Sequence, residues 1–99
     1  MFSTNNPHQF FEIYNDDDVL ISRTTLDKIK RKNETVWIMG PIFLNPDCND
    51  KSGLYDLMDT VKYLSEVSNY KVWPLDPLAI SYFQTHSEYY KIWADKPEK

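Results

Sequence analysis

Two apolar runs constrain this chain more than any other feature. The first is Thr35-Val36-Trp37-Ile38-Met39-Gly40-Pro41-Ile42-Phe43-Leu44, and the second is Lys71-Val72-Trp73-Pro74-Leu75-Asp76. Val36 to Met39 shows no alternation, the pattern of a strand covered on both faces. Gly40-Pro41 is expected to end that strand, and Pro74 and Pro77 the second one. Between the runs, Leu54, Leu57, Met58, Val61 and Leu64 fall at helical spacing, with Asp56, Asp59, Lys62 and Glu66 largely off the stripe. Asn69 is the expected stop. Strand, helix and strand in that order predict a parallel unit over about residues 35–76, and so an α/β fold with a small sheet.

Ahead of this unit, Phe10–Tyr14 and Val19–Ser22 read as two short strands around the polar turn Asn15-Asp16-Asp17-Asp18, a β-hairpin. Thr24-Thr25-Leu26-Asp27 has the spacing of a capping box and predicts a short helix to about Lys32, with Asn33 as its stop. Leu26 and Ile29 would face the core. Lys28, Lys30, Arg31 and Lys32 would sit at the helix C-terminus, where positive charge offsets the carbonyl dipoles. Leu78–Gln84 is open between a short helix and irregular chain, and Ser87 is placed to cap a last short helix. Residues 1–9 and 95–99 are expected to be loose ends of a single domain spanning 1–99.

Ninety-nine residues suffice for one modest core, with roughly 65% of the unfolded surface removed from water. The net charge of −4 argues against a general nucleic-acid binder, which needs a surplus of Lys and Arg. Cys48 is the sole cysteine, so no internal disulfide forms and a reducing, cytoplasmic setting is expected. No basic-then-apolar leader and no run long enough to cross a bilayer is seen, so no membrane partner is expected. Neither a cofactor nor a metal is expected. In Asp47-Cys48-Asn49-Asp50-Lys51-Ser52-Gly53 the lysine and the position of the glycine break the calcium-loop pattern, and Asp16–Asp18 reads as a solvated turn. His8 and His86 have no second ligand at zinc spacing. Pairing of Cys48 with His86 for nucleophilic chemistry has no motif behind it, and no catalytic residue is assigned.

The candidate ligand site is the crevice at the carboxyl ends of the two parallel strands, where the loops diverge. Gly40 and Pro41 would let backbone approach a ligand, Phe43 would stack on a base, and Asp76 would accept from sugar hydroxyls. A plain turn at Gly40-Pro41 and a capping role for Asp76 are the competing structural explanations. At these residues the chain resembles the nucleoside 2-deoxyribosyltransferase family and its nucleotide N-glycosidase relatives. The resemblance rests on Met39-Gly40-Pro41-Ile42-Phe43, on Trp73-Pro74-Leu75-Asp76, and on His86-Ser87-Glu88-Tyr89-Tyr90 through Trp93-Ala94. It implies an α/β fold and a nucleoside pocket. It supplies no position onto which that family's nucleophilic glutamate can be carried.

Aromatic residues are abundant, at 15 of 99, and seven of them fall in the last thirty residues. Tyr and Trp dominate binding hot spots, so Trp73, Tyr82, Tyr89, Tyr90 and Trp93 are candidates for contact with a protein partner, against core packing as the alternative. Two functions follow. One is a small acidic non-enzymatic inhibitor or regulator of a larger protein, of a compositional kind found among bacteriophage accessory proteins. The other is a nucleoside- or nucleotide-binding module that sequesters or hydrolyses its ligand. Unpaired sheet edges also lead us to expect a homodimer.

Overall fold

The computed structural model describes residues 6–48 and 52–96. Its elements are β1 (His8–Tyr14), β2 (Leu20–Lys30), β3 (Thr35–Met39), β4 (Phe43–Leu44), α1 (Ser52–Ser68), β5 (Lys71–Pro74), α2 (Pro77–Thr85) and a 3-10 helix (Ser87–Ile92). The sheet order is β1-β2-β3-β5, with β4 also paired to β2. The protein is a mixed α/β fold with a mostly antiparallel sheet. The βαβ unit is present: β3 and β5 are adjacent and parallel, Val36 opposite Lys71 through Met39 opposite Pro74.

The first hairpin forms where expected. Asn15 builds its turn, its side chain accepting from the backbone of Asp17 at 2.8 Å and Val19 at 3.0 Å, and Asp18 takes φ 63°. β1 begins at His8, so His8 and Gln9 belong to the sheet and not to a loose terminus. Asp95 pairs with Arg31 at 2.8 Å. Residues 1–5 and 97–99 of the expected loose ends lie outside the described residues.

The predicted helix from Thr24 to Lys32 does not exist. Thr24 to Lys30 continue β2 as the eleven-residue central strand, paired to β1 on one side and to β3 and β4 on the other. Thr24 Oγ1, the expected cap, lies 3.3 Å from the carbonyl of Gly40 instead. The local helix signal amounted to one cap and one apolar pair. Two ladders of backbone hydrogen bonds, together with β-branched Thr24, Thr25 and Ile29, outweigh it. The basic cluster therefore serves no helix dipole. Lys28 lies over the rings of Trp37 and Tyr70, each at 5.2 Å, and Arg31 lies over Trp73 at 4.6 Å.

All helices share one face of the sheet. Phe11, Leu26, Trp37, Met39 and Val72 from the strands form one buried cluster with Leu57, Met58, Val61 and Leu64 of α1, Ala79 and Phe83 of α2, and Tyr89 and Ile92. The molecule is 19 Å across its thinnest axis, which fits two layers. Covering of β3 on both faces is therefore only partial: Ile38 on the far face is half-exposed, although Val36 is buried. α1 ends at Asn69, which takes φ 63° as a helix stop requires.

Two irregularities shape the end of the sheet where β3 and β5 finish. Ile13 pairs with Ser22 but Tyr14 pairs with Leu20, so Ile21 is the extra residue of a bulge. Both Ile21 and Ser22 then meet the first turn of α1. A Cβ on Gly53 would lie 2.9 Å from Ile21 Cδ1, and Ser22 Oγ donates to the Gly53 carbonyl at 2.9 Å. On the other side, the chain does not turn away after Met39. Gly40 N–H donates to Thr25, and Phe43 and Leu44 pair with Arg23 and Ser22, so β4 prolongs β3 along the same partner with one inserted residue.

Candidate functional site

A cavity of about 450 Å³ opens between the first turn of α1, α2, and Ile21 and Leu44 of the sheet. α2 contributes a stripe at helical spacing, Leu78, Ser81, Tyr82 and Thr85, followed by His86. The opposite wall is Leu54 and Tyr55 from the first turn of α1, and the floor is Ile21, Leu44 and Cys48. The helix that carries the stripe starts where its sequence dictates, with Asp76 as cap and Pro77 in the first turn.

The lining carries aromatic and hydroxyl groups but no carboxylate, Lys or Arg among the described residues. The His86 ring stacks on Tyr82 with centroids 3.8 Å apart and planes 6° from parallel. His86 Nδ1 lies 2.8 Å from the Tyr82 carbonyl. A carbonyl only accepts, so in the neutral ring Nδ1 holds the proton and Nε2 is the acceptor. Tyr55 leans on Tyr82 at 6.1 Å, and Tyr89 meets it edge-on at 5.3 Å.

Beside this cavity, and sharing Ile21 and Cys48 with it, lies a second groove lined by Tyr14, Asn15, Asp16 and Asp56, with no Lys or Arg among its described lining. The pair thus offers a neutral aromatic compartment next to an acidic one. Among the described residues, no three His, Cys, Asp or Glu side chains are grouped to hold a metal ion. Asn49, Asp50 and Lys51 of the calcium-like stretch lie outside the described residues.

The four residues expected to bind a ligand stand next to the cavity without lining it. A Cβ on Gly40 would come within 2.6 Å of Thr25 Oγ1, so the glycine accommodates the close approach of β2. Pro41 is exposed on the same crossing, and Phe43 lies 45% exposed on β4. Both carboxylate oxygens of Asp76 already have partners. Oδ1 accepts from Leu78 N–H at 2.7 Å, capping α2, and Oδ2 accepts from Ile42 N–H at 2.8 Å. Asp76 therefore fastens the residue before β4 to the start of α2.

Of the five aromatics expected to face a partner, Tyr89 and Trp93 are core residues, 1% and 6% exposed. Tyr82 is largely buried and shows only its cavity-lining edge. Trp73 is half-buried beneath Arg31 on the open face, and Tyr90 is exposed with its hydroxyl donating to the Gln84 carbonyl. Cys48 and His86 do line one cavity, a juxtaposition no spacing rule shows because one sits in a loop and the other beyond α2. The signal that could have pointed to one wall of it is the stripe Leu78-Ser81-Tyr82-Thr85 behind an Asp-Pro helix start.

Burial raises the Tyr89 hydroxyl well above the usual phenol range, with the nearby Tyr82 and Asp59 acting in the same direction, and burial raises Tyr82 as well. The unfolded chain releases these protons near pH 10, whereas the folded one holds them. The unfolded state then binds fewer protons, so stability is intact below about pH 10 and falls as pH rises beyond it. The expected slope is up to about 1.4 kcal/mol per pH unit for Tyr89. Urea midpoints taken on either side of pH 10 measure it, and Tyr89→Phe should flatten it; an equal slope in the variant would contradict the assignment.

Comparison of the chain with family models, with curated proteins and with solved structures gives no match in any of the three. Among the described residues, no helix is long and apolar enough to cross a membrane.

Proposed function

We propose that this chain is a non-enzymatic interaction protein, an inhibitor or regulator, that holds a larger protein by taking one of its apolar side chains into the α1–α2 cavity. The observation that carries this reading is the gathering of exposed apolar surface at one opening. Leu44, Tyr55 and Leu78 are 40%, 46% and 37% exposed and all line the cavity, with exposed Phe43 and Leu75 beside them in sequence. An apolar compartment rimmed by large exposed side chains is the form of a hot-spot pocket. The adjoining acidic groove favours a partner with Lys or Arg next to the inserted side chain.

A second reading, a nucleoside module, is favoured by one specific observation. The cavity presents the stacked Tyr82–His86 pair, a surface suited to a neutral planar base. The suggested relationship to nucleoside deoxyribosyltransferases belongs to this reading.

Leu78→Glu tests both, because it puts a charge on the cavity wall at an already exposed position. Capped peptides pairing Leu or Phe with Arg, and free nucleosides, are titrated while amide chemical shifts are followed. We expect the peptides to shift the signals of Tyr55, Ser81 and His86, and Leu78→Glu to weaken that binding at least tenfold, about 1.4 kcal/mol. Nucleosides that bind there more tightly than the peptides would favour the second reading. No shift with either class would sink both.

A further inference from the structure

The two edges of the sheet are finished differently. At the β5 edge, Val72 bridges Trp93 and its carbonyl accepts from Ala94 N–H at 2.8 Å, so that side is closed. At the β1 edge, among the described residues, no strand lies beyond His8–Tyr14. The bond from Lys28 N–H to the Pro7 carbonyl, with Pro7 opposite Lys28 in the same register, fixes which groups face β2. Alternate residues point the other way, so Phe10 and Glu12 direct backbone N–H and C=O away from the molecule. His8 N–H points outward too, and the Asn6 side chain accepts it at 2.9 Å. Phe10 is 57% exposed, and the strand has neither proline, glycine nor lysine, the residues that discourage edge pairing.

We infer that β1 pairs antiparallel with β1 of a second copy of this chain, about a two-fold axis at Phe10, joining the two sheets into one. The side chains select that register. Centred on Phe10, each His8, bonded through Nδ1 to Asp27 at 2.6 Å, stands opposite the partner's Glu12, which lies 3.7 Å from Arg23, and the two Phe10 rings meet across the axis on the open face. Centred on Glu12, the same strands would oppose two carboxylates. Centred on Phe11, they would set each Phe10 against a carboxylate. The chosen register also joins outward groups to outward groups: each Phe10 exchanges bonds with the partner's Phe10, and each Glu12 N–H donates to the partner's His8 carbonyl. α1 packs over β1 and β2, so the two α1 helices would flank the axis while both α1–α2 cavities stay open.

Sedimentation velocity over a series from low micromolar to near-millimolar chain tests this. The expected result is a concentration-dependent monomer–dimer equilibrium. Phe10→Pro removes an outward N–H and no β1–β2 bond, and Glu12→Lys puts a lysine, a residue that discourages edge pairing, beside the axis. Each should raise the dissociation constant at least tenfold while circular dichroism and thermal unfolding stay near wild type. If Phe10→Pro fails to fold, Glu12→Lys carries the test alone, since the part-exposed Glu12 side chain gives up only the 3.7 Å pair with Arg23 and the Tyr14 hydroxyl bond. Hydrogen exchange gives a second readout, with the amides of Phe10 and Glu12 protected in the wild type at high concentration and fast in Glu12→Lys. A monomer at every concentration, or a dimer that survives both substitutions, overturns the inference.

Discussion

Replacing Trp37 by alanine is expected to cost about 3–5 kcal/mol, the range for removing a large buried aromatic side chain. A domain of this size has about 5–15 kcal/mol in all, so the variant should be partly or wholly unfolded at room temperature. Trp37 is fully buried in β3, between the strands and α1. Its Nε1–H also donates to Ser68 Oγ at 2.9 Å, the last residue of α1, tying the end of the helix to the strand. Trp37→Phe separates the two contributions. It keeps an aromatic ring and loses the donor, while Ser68 Oγ still donates to the Ser65 carbonyl at 3.3 Å. About 1–2 kcal/mol is expected for that change. Urea unfolding followed by circular dichroism gives both values. A Trp37→Ala loss below about 1 kcal/mol would mean that β3 does not pack beneath α1 as described.

Trp37 belongs to the part of the fold that could be read from sequence, and the reason is locality. The unbroken apolar run of β3, the 3.6-residue period of α1 and the short run of β5 each declare themselves within their own window. Their order then implies the parallel pairing. β2 was not legible beyond its first residues. Thr24 to Lys30 is a strand because β1 and β3 supply partners on both sides, and those partners come from other windows of the chain. The cavity lining was not legible for a similar reason. It depends on a bulge at Ile21 that brings β2 against Gly53, and on one extra residue after Met39 that keeps β4 on β2. Neither insertion leaves a mark in composition or period. Aromatic density near the C-terminus was also ambiguous by itself, because a ring buried like Tyr89 and a ring exposed like Tyr90 are neighbours in sequence.

Asp76 holds the N–H groups of Leu78 and Ile42 at once, and its substitution should have the second large effect. Asp76→Ala removes the α2 cap, costing about 0.5–2 kcal/mol, and leaves the half-buried Ile42 N–H without its acceptor, costing about 1–3 kcal/mol more. The expected total is about 2–4 kcal/mol. Asp76→Ser divides it, since serine caps a helix well but offers a single short oxygen and cannot serve both amides. About 1 kcal/mol should return in Asp76→Ser, with the Ile42 deficit persisting. Because Ile42 precedes β4, that remaining deficit should appear as faster hydrogen exchange at Ile42, Phe43 and Leu44, and as weaker peptide binding in the cavity that Leu44 floors. A different outcome has a clear meaning. If Asp76→Ala left stability unchanged and abolished nucleoside binding, the carboxylate would be a ligand group after all, and the nucleoside reading would displace the interaction reading.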